Sequence, residues 1–261
     1  MKKIIRLTAL AVALMMITSC LFSCDLIFGT DPADMIKKAD EALESQPYTV
    51  LINMKYTSDD EGMAEAIEML SSPTVEMQVD KDALFATMTM TLHGRLSRST
   101  YTAIDGTIYF DSYEEREDEI YTSKKKASLT EDAVADIKNS LGDGANLSAD
   151  DFKSISAEDL DGVTVITCTD IKDSALSDII DALQYKLTDI GAMVFVNDAT
   201  LVLNIKNGRY ISSETVCTYA IATSDDVYTV TMESRMDYDY TSEFEITAPA
   251  NTDEYVDTPV A

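Results

Sequence analysis

The groups of this 261-residue chain that could do chemistry are four cysteines, one histidine and 47 acidic side chains. Cys168 and Cys217 sit in the strand-like phrases VTVITCT and ETVCTYA. In an exported protein such a pair suggests a disulfide, with two buried thiols as the alternative. His93 closes an alternating run and precedes Gly94, which reads as an exposed turn. A hydrolytic triad or a zinc site wants histidine beside other matched groups, and one histidine leaves little to build with. The doublets Asp59-Asp60, Asp150-Asp151 and Asp225-Asp226 read as loop faces rather than as a glycosidase pair. The acidic stretches lack the spaced aspartates, the glycine at the sixth position and the closing glutamate of an EF-hand loop. Nine glycines are scattered singly, so no glycine-rich phosphate loop is present. No catalytic residue, metal site or cofactor is expected.

The remaining cysteines, Cys20 and Cys24, stand at the end of a different kind of segment. Lys2, Lys3 and Arg6 form a basic start, and 7–18 (LTALAVALMMIT) is an uncharged run too short to span a bilayer as a mature helix. This order is a secretory signal. Ile17-Thr18-Ser19-Cys20 resembles the lipobox of bacterial lipoproteins, and so does Leu21-Phe22-Ser23-Cys24, with a bulky Phe22 near the cut. The resemblance implies that Cys20, or alternatively Cys24, carries a diacylglyceryl group and becomes the first mature residue. Each buried CH₂ of an acyl chain contributes about 0.8 kcal/mol, so two or more chains make a stable anchor where one does not.

Lys plus Arg number 20 against 47 acidic residues, a net charge of -27. Without Lys2, Lys3 and Arg6 the mature part has 17 basic residues and a net of -30. Such a surface excludes nucleic acid as a partner and stands the domain off anionic headgroups. The one basic cluster, Lys124-Lys125-Lys126, is expected in a solvated loop.

The elements follow from periodicity. Asp31 is an N-cap with Pro32 at the first helical position, and Met35, Ile36, Ala39, Ala42 and Leu43 recur at helical spacing up to Pro47. Helices are also expected over 59–70, over 128–141 behind a Ser128…Glu131 capping box, and over 173–190, where Leu176, Ile180, Leu183 and Leu187 share one stripe. Alternation predicts strands over 48–56, 75–79, 84–92, 101–110 (a hairpin at Asp105-Gly106), 163–168, 193–206, 209–222, 227–240 and 243–247. Asn207-Gly208 is the strongest hairpin signal. The segment leading to Asp161-Gly162 reads as a loop, and 249–261 as a flexible acidic tail.

The expected organisation is a signal peptide (1–19), a tether (20–30), one domain (31–248) and the tail (249–261). Short connections imply antiparallel neighbours. The expected fold is α+β: one curved antiparallel sheet, a half-barrel of about eleven strands, with helices covering its concave face. Met54, Met77, Met88, Met90, Met232 and Met236 fall on apolar strand faces. Methionine is flexible and polarizable, which suits a surface accepting varied apolar shapes as well as a dry core.

The lipobox, the phrase Ile36-Lys37-Lys38-Ala39 before Tyr48, Asp161-Gly162-Val163 before a strand, and Ile246-Thr247-Ala248-Pro249 resemble the LolA-like superfamily. That group includes lipoprotein localisation factors and the lipid-binding LppX/LprG-like lipoproteins. The resemblance implies an anchored protein outside the cytoplasm. It would hold a lipid or acylated ligand in an apolar cavity between sheet and helices, without catalysis; the helix bearing Leu176, Ile180, Leu183 and Leu187 is the expected lid because it is the most amphipathic element. An envelope protein partner bound to a closed core is the alternative. A monomer is expected. Globomycin, or the double change Cys20→Ala with Cys24→Ala, should release the protein from membranes; fractionation with unchanged membrane retention contradicts the anchor.

Overall fold

The computed structural model describes residues 31–61, 64, 67, 73–80, 83–92, 94–116, 119–128, 147–176, 193–222 and 226–257. Strict alternation decides the architecture. Tyr48, Val50, Ile52 and Met54 of β1 (Tyr48–Ser58) are buried, while Leu51, Asn53 and Lys55 between them are exposed. β2 (Thr74–Asp80) alternates in the same way, and the further strands are β3 (Ala83–Leu92), β4 (Arg95–Ile104), β5 (Thr107–Arg116), β6 (Glu119–Ser128), β7 (Phe152–Leu160), β8 (Val163–Ile171), β9 (Met193–Lys206), β10 (Arg209–Ala222), β11 (Val227–Asp239) and the short β12 (Val256–Asp257). They form one sheet in the order β12-β6-β5-β4-β3-β2-β1-β11-β10-β9-β8-β7. All pairings are antiparallel except β12 on β6.

Tight turns set the register. Asp105-Gly106, Asp161-Gly162 and Asn207-Gly208 all have φ between +50° and +77°. Left-handed pairs of this kind match the twist of the flanking strands. Between Tyr210 and Ser212 and between Thr218 and Tyr219 the β9–β10 register slips, as a bulge requires. In β8, Asp170 at φ +59° breaks the alternation, so Ile171 and its partner Phe152 both turn inward.

Helix α1 (Pro32–Ser45) lies across one face of β9 and β10 and reaches β7. Asp31 caps it by accepting from the Ala33 amide at 3.1 Å, and the Gln46 amide closes it on the Ala42 carbonyl. Ala39 and Ala42 are buried under it, which lets the helix approach the sheet closely. The core has two parts: one beneath α1 around Ile166, Leu201 and Ile205, and one around Ile52, Val75 and Leu84. Leu43, Tyr56 and Tyr238 pack against both.

Several expectations change. Among the described residues the sheet has twelve strands, the twelfth of two residues, where about eleven were expected. Residues 152–160 form β7, not a loop, and Lys124–Lys126 lie inside β6. Residues 243–247 form no strand, although Phe244 and Ile246 are half-buried. Residues 249–257 are not loose: Thr252–Glu254 make a 3-10 turn, Tyr255 is 5% exposed and β12 pairs with β6. The signal segment, His93, the Ser128…Glu131 box beyond Ser128 and the helix over 173–190 beyond Leu176 lie outside the described residues. Glu61, Ala64 and Ile67 are helical, within the helix expected over 59–70.

The expected disulfide is not formed; Cys168 and Cys217 are buried thiols. Their register explains it. Cys168 pairs with Leu201 and Cys217 with Ala199, on opposite sides of β9 and two residues out of step. Two strand spacings and two residues of rise put the Cα atoms roughly 11–12 Å apart, beyond the ~7 Å limit for a bridge. Alkylation of the denatured, unreduced protein should therefore modify both thiols, and protection of the pair would contradict this register.

Candidate functional site

The register gathers the methionines. Met77 faces Val50, Met88 faces Val75, Met236 faces Ile52 and Met232 faces Tyr56. With Met54 and Met90 at the same parity of β1 and β3, all six predicted methionines lie on one face of the sheet, the face that carries the core. Met54, Met77 and Met232 are buried, while Met88, Met90 and Met236 are half-buried.

Tyrosines accompany them, and the sequence reading gave these no role. The hydroxyl of Tyr219 donates to the Met232 sulfur at 3.1 Å, that of Tyr238 to Met236 at 3.5 Å, and that of Tyr56 to Met54 at 4.0 Å. At one end of this face the rings of Tyr48, Tyr210, Tyr238 and Tyr240 sit 5.8 to 6.2 Å apart in tilted pairs. Arg209 lies over Tyr240 at 5.2 Å. Burial pushes the Tyr48, Tyr210 and Tyr240 hydroxyls up, that of Tyr240 to about 12. They are neutral hydrogen-bond donors, not nucleophiles. Ser234 Oγ and Tyr240 Oη are buried with no hydrogen-bond partner among the described residues. For Tyr48, Tyr56 and Tyr238 the signal was present in the sequence, since they share strand parity with Met54, Met232 and Met236.

The covered and uncovered halves of the face differ. Beneath α1 the side chains of β8 to β10 are buried. Toward β3, β4 and β5, Leu84, Ala86 and Ala103 are buried, but Met88, Met90, Tyr101, Ile108 and Phe110 are only half-buried. Tyr101 and Phe110 are register partners with centroids 4.9 Å apart. An apolar wall thus continues past the helix. At its rim a concavity of about 140 Å³ is lined by Met90, Arg95, Ser97, Glu114 and Arg116, with Arg116 on Glu114 at 2.7 Å. That volume is below the ~300–1,000 Å³ of typical ligand sites. A larger trough of about 430 Å³ crosses β1, β11 and β10 between Lys55, Glu233 and Val216 on one side and Asn53, Arg235 and Glu214 on the other. These residues have the opposite parity to Met54 and Ser234, so the trough opens on the polar face. Ion pairs line it, Lys55 to Glu233 at 3.9 Å and Arg235 to Glu214.

Of the four lid-helix positions, only Leu176 is described; it is half-buried against the core under α1. Ile180, Leu183, Leu187, Cys20 and Cys24 lie outside the described residues. Among the described residues no group of three His, Cys, Asp or Glu could hold a metal ion, and no helix is long and apolar enough to cross a membrane.

No family model matches the chain, and no curated protein does. The chain is similar to MucB in complex with MucA(peri), at 10% identity over 82% of this chain and 100% of that one, with a TM-score of 0.15. A Pseudomonas aeruginosa MucA/MucB complex matches at 10% identity over 78% of this chain and 93% of that one, also at a TM-score of 0.15. An inactive mutant of the CurJ dehydratase matches at 7% identity, 79% and 80% coverage and a TM-score of 0.13. Likeness at this level carries no argument about fold or function.

Asp40 of α1 joins helix to site by accepting from the Tyr210 hydroxyl at 2.7 Å. Its carboxyl is held above the usual range, chiefly by desolvation, with Glu44 and Asp150 adding and the Tyr210 bond opposing. A raised folded pKa gives stability that is present below the unfolded value and lost as pH rises through the folded one. Asp40→Asn keeps an oxygen for Tyr210 and removes the charge. Urea midpoints of the two proteins should agree near pH ~3 and separate in favour of Asp40→Asn toward pH ~7; a gap independent of pH contradicts this.

Proposed function

We propose that this is a membrane-anchored lipoprotein outside the cytoplasm. Its sheet, curved into a half-barrel with helices over the concave face, holds the acyl part of a lipid or acylated molecule without catalysis. The carrying observation is the wall of half-buried apolar side chains, Met88, Met90, Tyr101, Ile108 and Phe110, on the core face beyond α1. Apolar area left accessible on a core face is favourable to cover at about 25 cal/mol per Å². Flexible methionines accommodate chains of differing shape. Neutral tyrosine hydroxyls at the end of the same face supply donors for ester or amide oxygens. The lipid anchor on Cys20 or Cys24 would place this wall within reach of a lipid source.

A second reading, an interaction module with a closed core, is favoured by a different observation. Half of the methionine set is fully packed, and the sulfurs of Met54, Met232 and Met236 already accept tyrosine hydroxyls. The two readings part on occupancy. Organic extracts of the purified protein should contain bound lipid. The double change Met88→Glu with Met90→Glu should lower it by about tenfold or more, a loss of ~1.4 kcal/mol, with far-UV circular dichroism unchanged. Protein that stays lipid-free after exposure to lipid vesicles would favour the closed core.

A further inference from the structure

The sequence offers one basic cluster, Lys124–Lys126, and one acidic terminal stretch, and the fold brings the two together. Tyr109 and Asp111 of β5 face Lys126 and Lys124 of β6, on the face opposite the methionines. Residues 252–257 dock there. Tyr255 is 5% exposed, its hydroxyl donates to Asp111, and its ring meets Tyr109 edge-on with centroids 5.2 Å apart. Lys124 Nζ lies 5.6 Å from the Tyr255 ring centre and 2.6 Å from Glu254. Lys126 Nζ donates to the Thr252 carbonyl at 3.4 Å and sits 3.9 Å from Asp257. Val256 and Asp257 then pair in parallel with Lys125 and Lys126 on the open edge of the sheet. Burial and the Asp111 bond both push the Tyr255 hydroxyl up, so it stays a donor.

This is how an extended peptide is recognised: main-chain bonds on a strand edge, one aromatic anchor, and flanking charges of opposite sign. We propose that the β6 edge, with Tyr109, Asp111, Lys124 and Lys126, is a peptide-binding site for an extended acidic segment containing one tyrosine. The chain's own tail is its resident occupant, and a segment of the same chemistry on another protein replaces it in trans. The partner chemistry is read from the resident. Among the described residues two of the tail form the ladder, and each ion pair has a well-exposed carboxylate, so each contributes little and the occupant is exchangeable. Beyond Lys125 the edge pairs with no other strand among the described residues, and Glu119, Ile120, Tyr121 and Thr122 are exposed, which gives an incoming strand more ladder than Val256 and Asp257 use. The site is on the other face from the apolar wall and stands whether or not that wall binds lipid.

The test uses the full chain and a labelled peptide of residues 248–257. The Tyr255→Ala chain loses its anchor and should bind the peptide about tenfold or more tighter than the wild-type chain, whose tail competes. Replacing the peptide's tyrosine by alanine, or adding Lys124→Glu to the Tyr255→Ala chain, should cut that binding by about tenfold. Affinity should fall as salt rises from ~50 to ~500 mM. A Tyr255→Ala chain with unchanged circular dichroism that binds no better than wild type overturns the proposal, as does binding indifferent to the peptide's tyrosine. Should Tyr255→Ala perturb folding, Glu254→Lys, an exposed reversal, opens the same latch with the same expectation, and binding equal to wild type overturns it. Concentration-dependent dimers of the wild-type chain that the peptide dissolves would assign the occupant to a second copy and overturn the separate partner.

Discussion

The whole sheet depends on the ladder between β1 and β11. The first six strands follow one another as a meander, and so do β7 to β11, each strand beside its sequence neighbour. Among the described strands, the ten register pairs from Thr49–Asp239 to Ser58–Val230 join these two meanders. Closing a loop of nearly the whole chain costs about 4–5 kcal/mol in chain entropy. Burial along the seam offsets this. Ile52 and Met54 from one strand and Val230 and Met232 from the other are buried, each worth about 1.5–3 kcal/mol. Tyr56 and Tyr238 then pack against both cores, so the seam turns two meanders into one continuous inner face. The methionine wall, the tyrosine cluster and the bed for α1 all depend on that continuity.

What was legible in the sequence was local. The hairpins at Asp105-Gly106 and Asn207-Gly208 are written in two residues each, and α1 in an N-cap, a proline and a stripe. Strands with a buried face show alternation, and β1, β3, β9, β10 and β11 were all readable for that reason. The strand β7 was not, because Lys153 to Ser156 and Glu158 to Leu160 are all exposed; an edge strand need not alternate. Three consecutive lysines masked β6 in the same way. The reverse error occurred at 243–247, where Phe244 and Ile246 alternate without any strand to pair with. The β1–β11 seam was invisible, since no local signal records a partner at the far end of the chain. Candidate residues fared better: parity put the methionines on one face, and Tyr56 and Tyr238 stand two residues from Met54 and Met236 on the same strands, while the Tyr219–Met232 pair needs the β10–β11 register.

Charge keeps to the polar face across β1, β10 and β11, whereas Arg95, Glu114 and Arg116 bring it onto the methionine face at the rim. The ion pairs of the sheet are exposed, from Lys55–Glu233 to Arg235 with Glu214 and Asp237. Exposed pairs of this kind contribute about 0–1 kcal/mol each. With 47 acidic residues to 20 basic, most carboxylates have no cation to meet. Some find amides and hydroxyls instead. Asp239 accepts from the Thr241 amide and hydroxyl and from Ser242, which hold its carboxyl down to about 2. That turn directs the chain out of β11 toward the far edge of the sheet.

The two edges are protected by opposite means, and the difference follows from composition. The β7 edge carries charges of both signs, Lys153 against Glu158 and Asp159, with Lys153 also held by Asp170 and Asp173. Mixed exposed charge disfavours pairing with another strand. The β6 edge holds a block of one sign, and in a strongly acidic protein a positive edge attracts the acidic segments of its own chain. The tail meets this attraction by occupying the edge itself, with an aromatic ring placed where Tyr109 and Asp111 can satisfy it. A basic edge strand and an acidic terminus are therefore one feature: the lysines favour an acidic segment, and the docked tail competes with any other segment for them.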